Sequence, residues 1–369
     1  MKIGVLRESS PETRVSFTPE TISAIIKKGH AVTVETGAGS LSFFSDDDYR
    51  NAGATVSNRG DVFGNSELIL CIHTPEDLNA VKSGQVMVGA FMPLTFPAIT
   101  EKFVKGNITA FSLDLLPRTT RAQSMDILSS QANIAGYKAV LTAATHFSHY
   151  FPMFMTAAGS IPPAKVLILG AGVAGLQAIA TAKRLGAVVE VFDTRPAVKE
   201  EVQSLGAKFV EVEGAADATK AGGYAVEQTE EYKQKQQSRI AEAVRKSDII
   251  ITTAQIPGKT APLLITEEMV HSMKKGSVIV DLAASTGGNK AFTKNNEIVH
   301  VNGVLIIGNS NLPSGMPSDA SKLFAKNVFN FIQLLTDKEG VLALNFEDDL
   351  VKGSCITHEG AIIHERLKK

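Results

Sequence analysis

Apolar residues in this chain fall into short runs of four or five, separated by longer stretches in which they recur at helical spacing. In the first 115 residues the runs at 2–6, 31–35, 68–72, 86–89 and 108–112 read as buried strands. Helical patterns fall between them, as over residues 19–28, where Pro19 opens a helix and Gly29 closes it. Such alternation predicts a mainly parallel sheet. Residues 124–150 read as one long helix, able to cross between domains, and Pro152, Pro162 and Pro163 break the pattern after it. A second alternating set has strands at 166–169, 188–192, 208–212, 248–252, 277–281 and 304–307. A helix over 318–335 then returns the chain toward the first domain, and the tail, 341–350 and 356–364, reads as short strands or a hairpin.

The expected fold class is α/β, with two Rossmann-like domains built on parallel sheets. The second domain is inserted into a discontinuous first one. Residues 1–125 and 330–369 form the first domain, 126–150 the linking helix and 151–329 the inserted domain. The length of 369 residues agrees, because it exceeds what one typical core organises. One connection is too long for a minimal fold. Ordinary βα loops run about 2–6 residues, whereas here the chain passes from residue 212 to about 239 before a clear helix. Gly222-Gly223-Tyr224 gives this stretch a hinge with an aromatic tip, and a closing loop is favoured over a plain surface excursion.

The candidate chemistry is concentrated in residues 165–193. An apolar strand runs directly into Gly170-Ala171-Gly172-Val173-Ala174-Gly175, a helix follows, and the next strand ends on Asp193. Gly170 permits the tight turn, Gly172 a close approach of backbone to pyrophosphate, and Gly175 close packing of helix on strand. The helix N-terminus offers unpaired amides to the phosphates. Asp193, about twenty residues on, is placed to accept from both ribose hydroxyls. A glycine-rich turn alone is weak; here strand, helix and terminal acid all accompany it. The acid favours NAD(H) over a 2′-phosphate; Arg195, two residues on, is of a type that can accommodate NADP, but is read as lying over the adenine or pairing with Asp193.

Charged residues make up 20% and the net charge is −1, so no basic field recruits nucleic acid or an anionic membrane. Cys71 and Cys355 lack metal-ligand spacing and read as buried thiols in a reducing compartment, with no metal expected. No window reaches the 18 or so apolar residues of a membrane span, and the N-terminus lacks a signal-peptide pattern. The expectation is a cytoplasmic protein that does not itself insert into a membrane.

The opening KIGVLRES, Glu12-Thr13-Arg14-Val15, residues 118–126, the glycine turn, Gln255-Ile256-Pro257-Gly258 and Asp281-Leu282-Ala283 together carry a resemblance over nearly the whole chain. The sequence resembles the NAD(H)-binding soluble alpha component of proton-translocating nicotinamide nucleotide transhydrogenase, a relative of alanine dehydrogenase. That resemblance implies hydride transfer from NADH to NADP+ bound by a separate beta subunit, coupled through a membrane subunit to proton movement. It also implies a homodimer attached peripherally to the inner membrane through these partners. By the same resemblance Arg118, Gln123, Asp126 and Ser129 serve the nicotinamide end; capping of the long helix by Asp126 and Gln123 is the bland alternative. Asp193, Thr194 and Arg195, together with Tyr224, Gln255, Ile256, Pro257, Gly258 and Leu282, are the further cofactor contacts. Gly287-Gly288-Asn289 reads as a weaker candidate, with a plain turn as its bland alternative.

Alanine dehydrogenases place a lysine and a histidine beside the nicotinamide and an arginine near the N-terminus for the substrate carboxylate. Arg14 is retained, but the corresponding segments, 71–76 and 91–94, contain no lysine and no histidine respectively. His73 reads as a hydrogen-bonded structural residue. Oxidising an amine requires a proton acceptor, whereas transfer between two nicotinamide rings requires only proximity, orientation and exclusion of water. An alanine dehydrogenase-like enzyme is the alternative reading, and a non-catalytic NAD sensor a third.

Overall fold

The computed structural model describes residues 1–212 and 229–368. The chain divides into two compact units, Met1–Gln131 with Ser314–Lys369, and Ala132–Pro313. The first opens with β1 (Lys2–Val5), α1 (Pro19–Ile26), β2 (Ala31–Glu35), α2 (Asp46–Asn51), β3 (Thr55–Ser57) and α3 (Arg59–Asn65). It continues through β4 (Leu68–Leu70), β5 (Val86–Gly89), α4 (Ala98–Lys105) and β6 (Thr109–Ser112). The unit boundary falls inside α5 (Ile127–His146).

The second unit contains a hairpin, β7 (Phe154–Thr156) with β8 (Gly159–Ile161), then β9 (Lys165–Leu169), α6 (Val173–Arg184), β10 (Val188–Phe192), α7 (Lys199–Ser204) and β11 (Lys208–Phe209). After it come α8 (Glu230–Lys246), β12 (Ile249–Thr252), α9 (Glu267–His271), β13 (Val278–Asp281), β14 (Ile298–Val301) and β15 (Val304–Ile307). The chain then completes the first unit with α10 (Pro317–Ile332), α11 (Asp349–Ser354), β16 (Cys355–His358) and β17 (Ala361–Ile362).

Both sheets are doubly wound. The first runs β17-β16-β6-β5-β4-β1-β2-β3 and the second β11-β10-β9-β12-β13-β15-β14. Their pairings are parallel except at one edge of each, where β16 and β17, or β14, run antiparallel. The period of two is visible in the cores: Leu68 and Leu70 of β4 face one hydrophobic cluster and Ile69 the opposite one. In β12, Ile249 and Ile251 face one side and Ile250 the other. Strands covered on both faces must be apolar at every position, which is why they read as continuous runs.

Several boundaries differ from the sequence reading. Helix α5 is shorter than expected, because Arg121–Met125 forms a 3-10 turn and Asp126 then caps the helix. Helix α10 belongs wholly to the first unit, where Phe324, Val328, Phe331 and Ile332 enter its core, so the division falls at 313/314 instead of near 330. In the tail, residues 356–364 contain the expected hairpin, but 341–350 is not a strand. Asp348 accepts from Leu350 N and Val351 N and starts α11 there. Helix α8 begins earlier than about 239, since Thr229 caps it and Tyr232 anchors it at 3% exposure. No helix among the described residues is long and apolar enough to cross a membrane.

Candidate nucleotide-binding site

In a doubly wound sheet the strand order reverses between two central strands, and ligands bind outside their carboxyl ends. In the second unit those strands are β9 and β12. Gly170, directly after β9, has φ +107°, and a Cβ there would lie 2.4 Å from Thr253 Oγ1. A Cβ on Gly175 would lie 1.9 Å from Gly170 O, so only glycine lets α6 start this close to the strand. Gly172 differs: a Cβ on it would meet nothing within 4 Å among the described residues. That open space lies at the N-cap of α6, where Val173 is exposed and Ala174 half-buried and the first-turn amides lack intrahelical partners. A pyrophosphate fits this donor set and this room.

Asp193 follows β10. Its Oδ2 accepts from Ala171 N (2.7 Å) and Arg195 Nη2 (2.7 Å), and its Oδ1 accepts from Arg195 N (2.8 Å) and Arg195 Nε (2.9 Å). The pairing of Arg195 with Asp193 is thus realised. Four donors fill the roughly four lone-pair directions of a carboxylate, so a ribose diol binding here displaces the arginine side chain. Thr194 lies half-buried between them.

The opposite wall follows β12. Thr253 Oγ1 lies within hydrogen-bond reach of Leu169 O (3.3 Å) and Gly170 O (3.2 Å). Gln255 Nε2 donates to Leu282 O at 3.0 Å, which brings together two expected contact residues. Ile256, Pro257 and Gly258 form a turn closed by Lys259 N donating to Ile256 O, with Gly258 at φ +76°. Asn289, read from sequence as part of a weaker candidate with a plain turn as the alternative, is fully buried and holds this wall. Its Oδ1 accepts from Ala254 N and its Nδ2 donates to Ala254 O and Pro262 O. Its backbone N–H donates to Asp281 Oδ2, and Thr252 Oγ1 donates to Asp281 Oδ1. Sequence reasoning missed this clamp; its signal was an acid ending one strand and an Asn after Gly-Gly. Tyr224 lies outside the described residues.

In the first unit, Arg118 and Gln123 are exposed, and Asp126 and Ser129 are half-buried. Asp126 Oδ1 accepts from Ser129 N (2.9 Å) and Oδ2 from Ser129 Oγ (2.6 Å), so Asp126 does cap α5. The reversal here lies between β1 and β4. The loop after β1 brings Glu12, 3% exposed, into a fork with Arg14 Nε (2.8 Å) and Nη2 (2.7 Å). His73 Nε2 lies 2.8 Å from Glu12 Oε2, and Ser314 Oγ donates to Oε1. Burial raises the Glu12 pKa, but the hydrogen bonds from Arg14 and then His73 outweigh it and hold the carboxyl well below its usual range. Arg14 Nη1, the remaining terminal nitrogen, donates to Gln131 Oε1 at 2.8 Å. Beside His73 a pocket of about 280 Å³ is lined by Phe91, Met92, Phe96 and Ile99.

Residues 4–135 match the family model described as alanine dehydrogenase/PNT, N-terminal domain, and residues 139–365 match its C-terminal domain. The chain is 47% identical over 379 residues to the first segment of NAD(P) transhydrogenase subunit alpha from Rhodospirillum rubrum, across 100% of this chain and 99% of that protein. A solved transhydrogenase structure from Sinorhizobium meliloti matches with a TM-score of 0.90 at 43% identity, covering 98% of this chain and 100% of that one. Alanine dehydrogenase of Mycolicibacterium smegmatis is more distant, 26% identical over 380 residues, 100% of this chain and 96% of that protein. By these matches the chain belongs to the alanine dehydrogenase/PNT family, among the NAD(P) transhydrogenase alpha subunits and at a greater distance from the alanine dehydrogenases.

Proposed function

We propose that this chain is the NAD(H)-binding component of a proton-translocating transhydrogenase. NADH occupies the turn at Gly170–Gly175, and its hydride passes directly to NADP+ held by a partner beta subunit. A membrane subunit couples that step to proton movement. Bound NADH supplies the hydride; the chain's own residues bind, orient and keep water away. The first-turn amides of α6 receive the pyrophosphate, Asp193 the adenosine ribose, and the wall from Gln255 to Gly258 with Leu282 the rest of the nucleotide. Arg118, Gln123, Asp126 and Ser129 hold the nicotinamide end, where an amide-reading site requires both donors and acceptors.

The observation that carries this reading over an amino-acid dehydrogenase is the state of Arg14. Its Nε and Nη2 donate to Glu12 and its Nη1 to Gln131, at 8% exposure, so each guanidinium nitrogen is engaged within the chain and its charge faces Glu12, which supports a structural role over capture of a substrate carboxylate. His73, the nearby titratable ring, is tied to the same glutamate. Ring-to-ring hydride transfer moves no proton at the reacting carbon and is served by such an arrangement. Homodimer formation is supported by the hairpin β7–β8 and its approach, where Met153 and Met155 are exposed at 61% and 77% and Tyr150 stacks on Phe154. Attachment to the inner membrane, on its cytoplasmic side, is through the partner subunits.

The test is NADH oxidation by the purified chain under two conditions. One contains pyruvate and ammonium, and the other a soluble NADP-binding transhydrogenase domain with an acetylpyridine analogue of NAD+ as reporter. Turnover in the second alone is the expected result. Turnover with pyruvate and ammonium overturns the proposal, and NADH binding without either reaction points to a sensor.

A further inference from the structure

Glu12 sits where three segments of the first unit meet. It accepts from Thr13 N and Arg14 N in its own loop, from Ser314 Oγ just before α10, and it pairs with His73 after β4. The fork from Arg14 completes this set and leaves one nitrogen, Nη1, pointing at α5. There it meets Gln131, whose own Nε2 donates to Ala320 O of α10 at 3.1 Å. Gln131 follows Ser129 by two residues on the helix that Asp126 caps. A helix held only by apolar packing can rotate or slide by a fraction of an ångström at small cost. A charge-assisted hydrogen bond from the buried Arg14 to the half-buried Gln131 sets its rotation directly.

We propose that Arg14 is a positioning residue for hydride transfer: locked by Glu12, it fixes Gln131 and thereby the orientation of Asp126 and Ser129, without touching a nucleotide. This inference rests on the reading that Asp126 and Ser129 serve the nicotinamide end. Geometry of that end governs the transfer step, where a displacement of about 1 Å can cost up to 100-fold in rate. On the same reading the main share of NADH affinity comes from the glycine turn and Asp193 of the second unit, which this link does not touch.

Two variants separate positioning from mere support. Gln131→Leu removes the acceptor that Arg14 uses, whereas Gln131→Glu keeps an acceptor oxygen for it; both lose the donor to Ala320 O, so that loss is common to the pair. Transfer with the NADP-binding domain, NADH affinity by fluorescence of the bound nucleotide, and thermal midpoint are measured for both. Gln131→Leu is expected to lower kcat for transfer about tenfold with NADH affinity within about twofold, and Gln131→Glu to recover most of that loss. Equal loss in both variants, or a lowered thermal midpoint with unchanged kcat, overturns the inference. A wild-type chain that binds NADH but transfers nothing to the NADP-binding domain overturns the function proposed above and this inference with it.

Discussion

Lys290 is 2% exposed, and its Nζ has no hydrogen-bond partner among the described residues. Burial pulls its pKa from 10.5 down to about 7, against the opposing pull of Asp281. The folded chain therefore releases this proton at a lower pH than the unfolded chain does. Between about pH 7 and 10.5 the unfolded state holds more protons, so stability rises with pH across that window. Below pH 7 the fold carries the full cost of an unpartnered ammonium. Lys290→Met keeps the volume and removes the charge. Urea unfolding at pH 6 is expected to show a gain on the order of 2–3 kcal/mol, shrinking as the pH approaches 10. A gain of the same size at both ends of the range would mean that the amine is solvated in the folded protein. Nothing in the sequence marked this lysine, since a cation after Gly-Gly-Asn reads as a surface loop.

Among the elements, the helices and central strands were legible because apolar period and capping residues agree. Asn58, Ser45 and Thr229 each cap a helix as their residue types allow, although the start at Thr229 was not legible, the clear helical pattern there beginning only at about residue 239. The exposed hairpin β7–β8 and the edge strands β3 and β14 were not, because edge positions bury too little for a clear pattern. Contacts between helices were invisible for a different reason: they depend on what is missing at one residue. Gly136 in α5 is such a case, since a Cβ there would lie 2.0 Å from Ala174 O in the first turn of α6. Helix propensity favours alanine at such a site by about 0.5–1 kcal/mol, so Gly136→Ala stabilises if propensity governs. The close approach to a backbone carbonyl governs instead. The variant is expected to lose roughly 2–3 kcal/mol and, if the displaced turn receives the pyrophosphate as proposed, to bind NADH more weakly. Thermal unfolding and NADH titration check both, and a raised melting temperature would show that α5 simply moves aside.

Taken whole, the molecule repeats one plan twice, with a glycine turn after the first strand of the second sheet. Both sheets share the inner order in which the first strand pairs with the second on one side and the fourth on the other. Both also latch an acid at or just beyond the second strand's end to a backbone amide beyond the first. Asp193 Oδ2 accepts from Ala171 N at 2.7 Å, and Glu35 Oε2 accepts from Arg7 N at 2.8 Å. The second latch was not legible, because an acid ending a strand signals nothing without the glycine turn. In the second unit α6 starts at Val173, directly after that turn; in the first, α1 starts only at Pro19, beyond the loop that Glu12 and Arg14 fill. The latch at Glu35 therefore lacks a helix opening straight from β1. Arg59 covers it, with Nη1 at 2.7 Å from Oε2 and the rest of the guanidinium on Asp77. Isothermal titration is therefore expected to give one NADH per chain. Asp193→Asn removes the charge of a nearly buried acceptor and should weaken NADH about tenfold or more. Glu35→Gln should leave NADH affinity within about twofold while lowering the melting temperature, since it uncouples Arg59 from a half-buried partner. A second NADH per chain, or equal losses of affinity in the two variants, would mean that the first unit has kept a nucleotide site of its own.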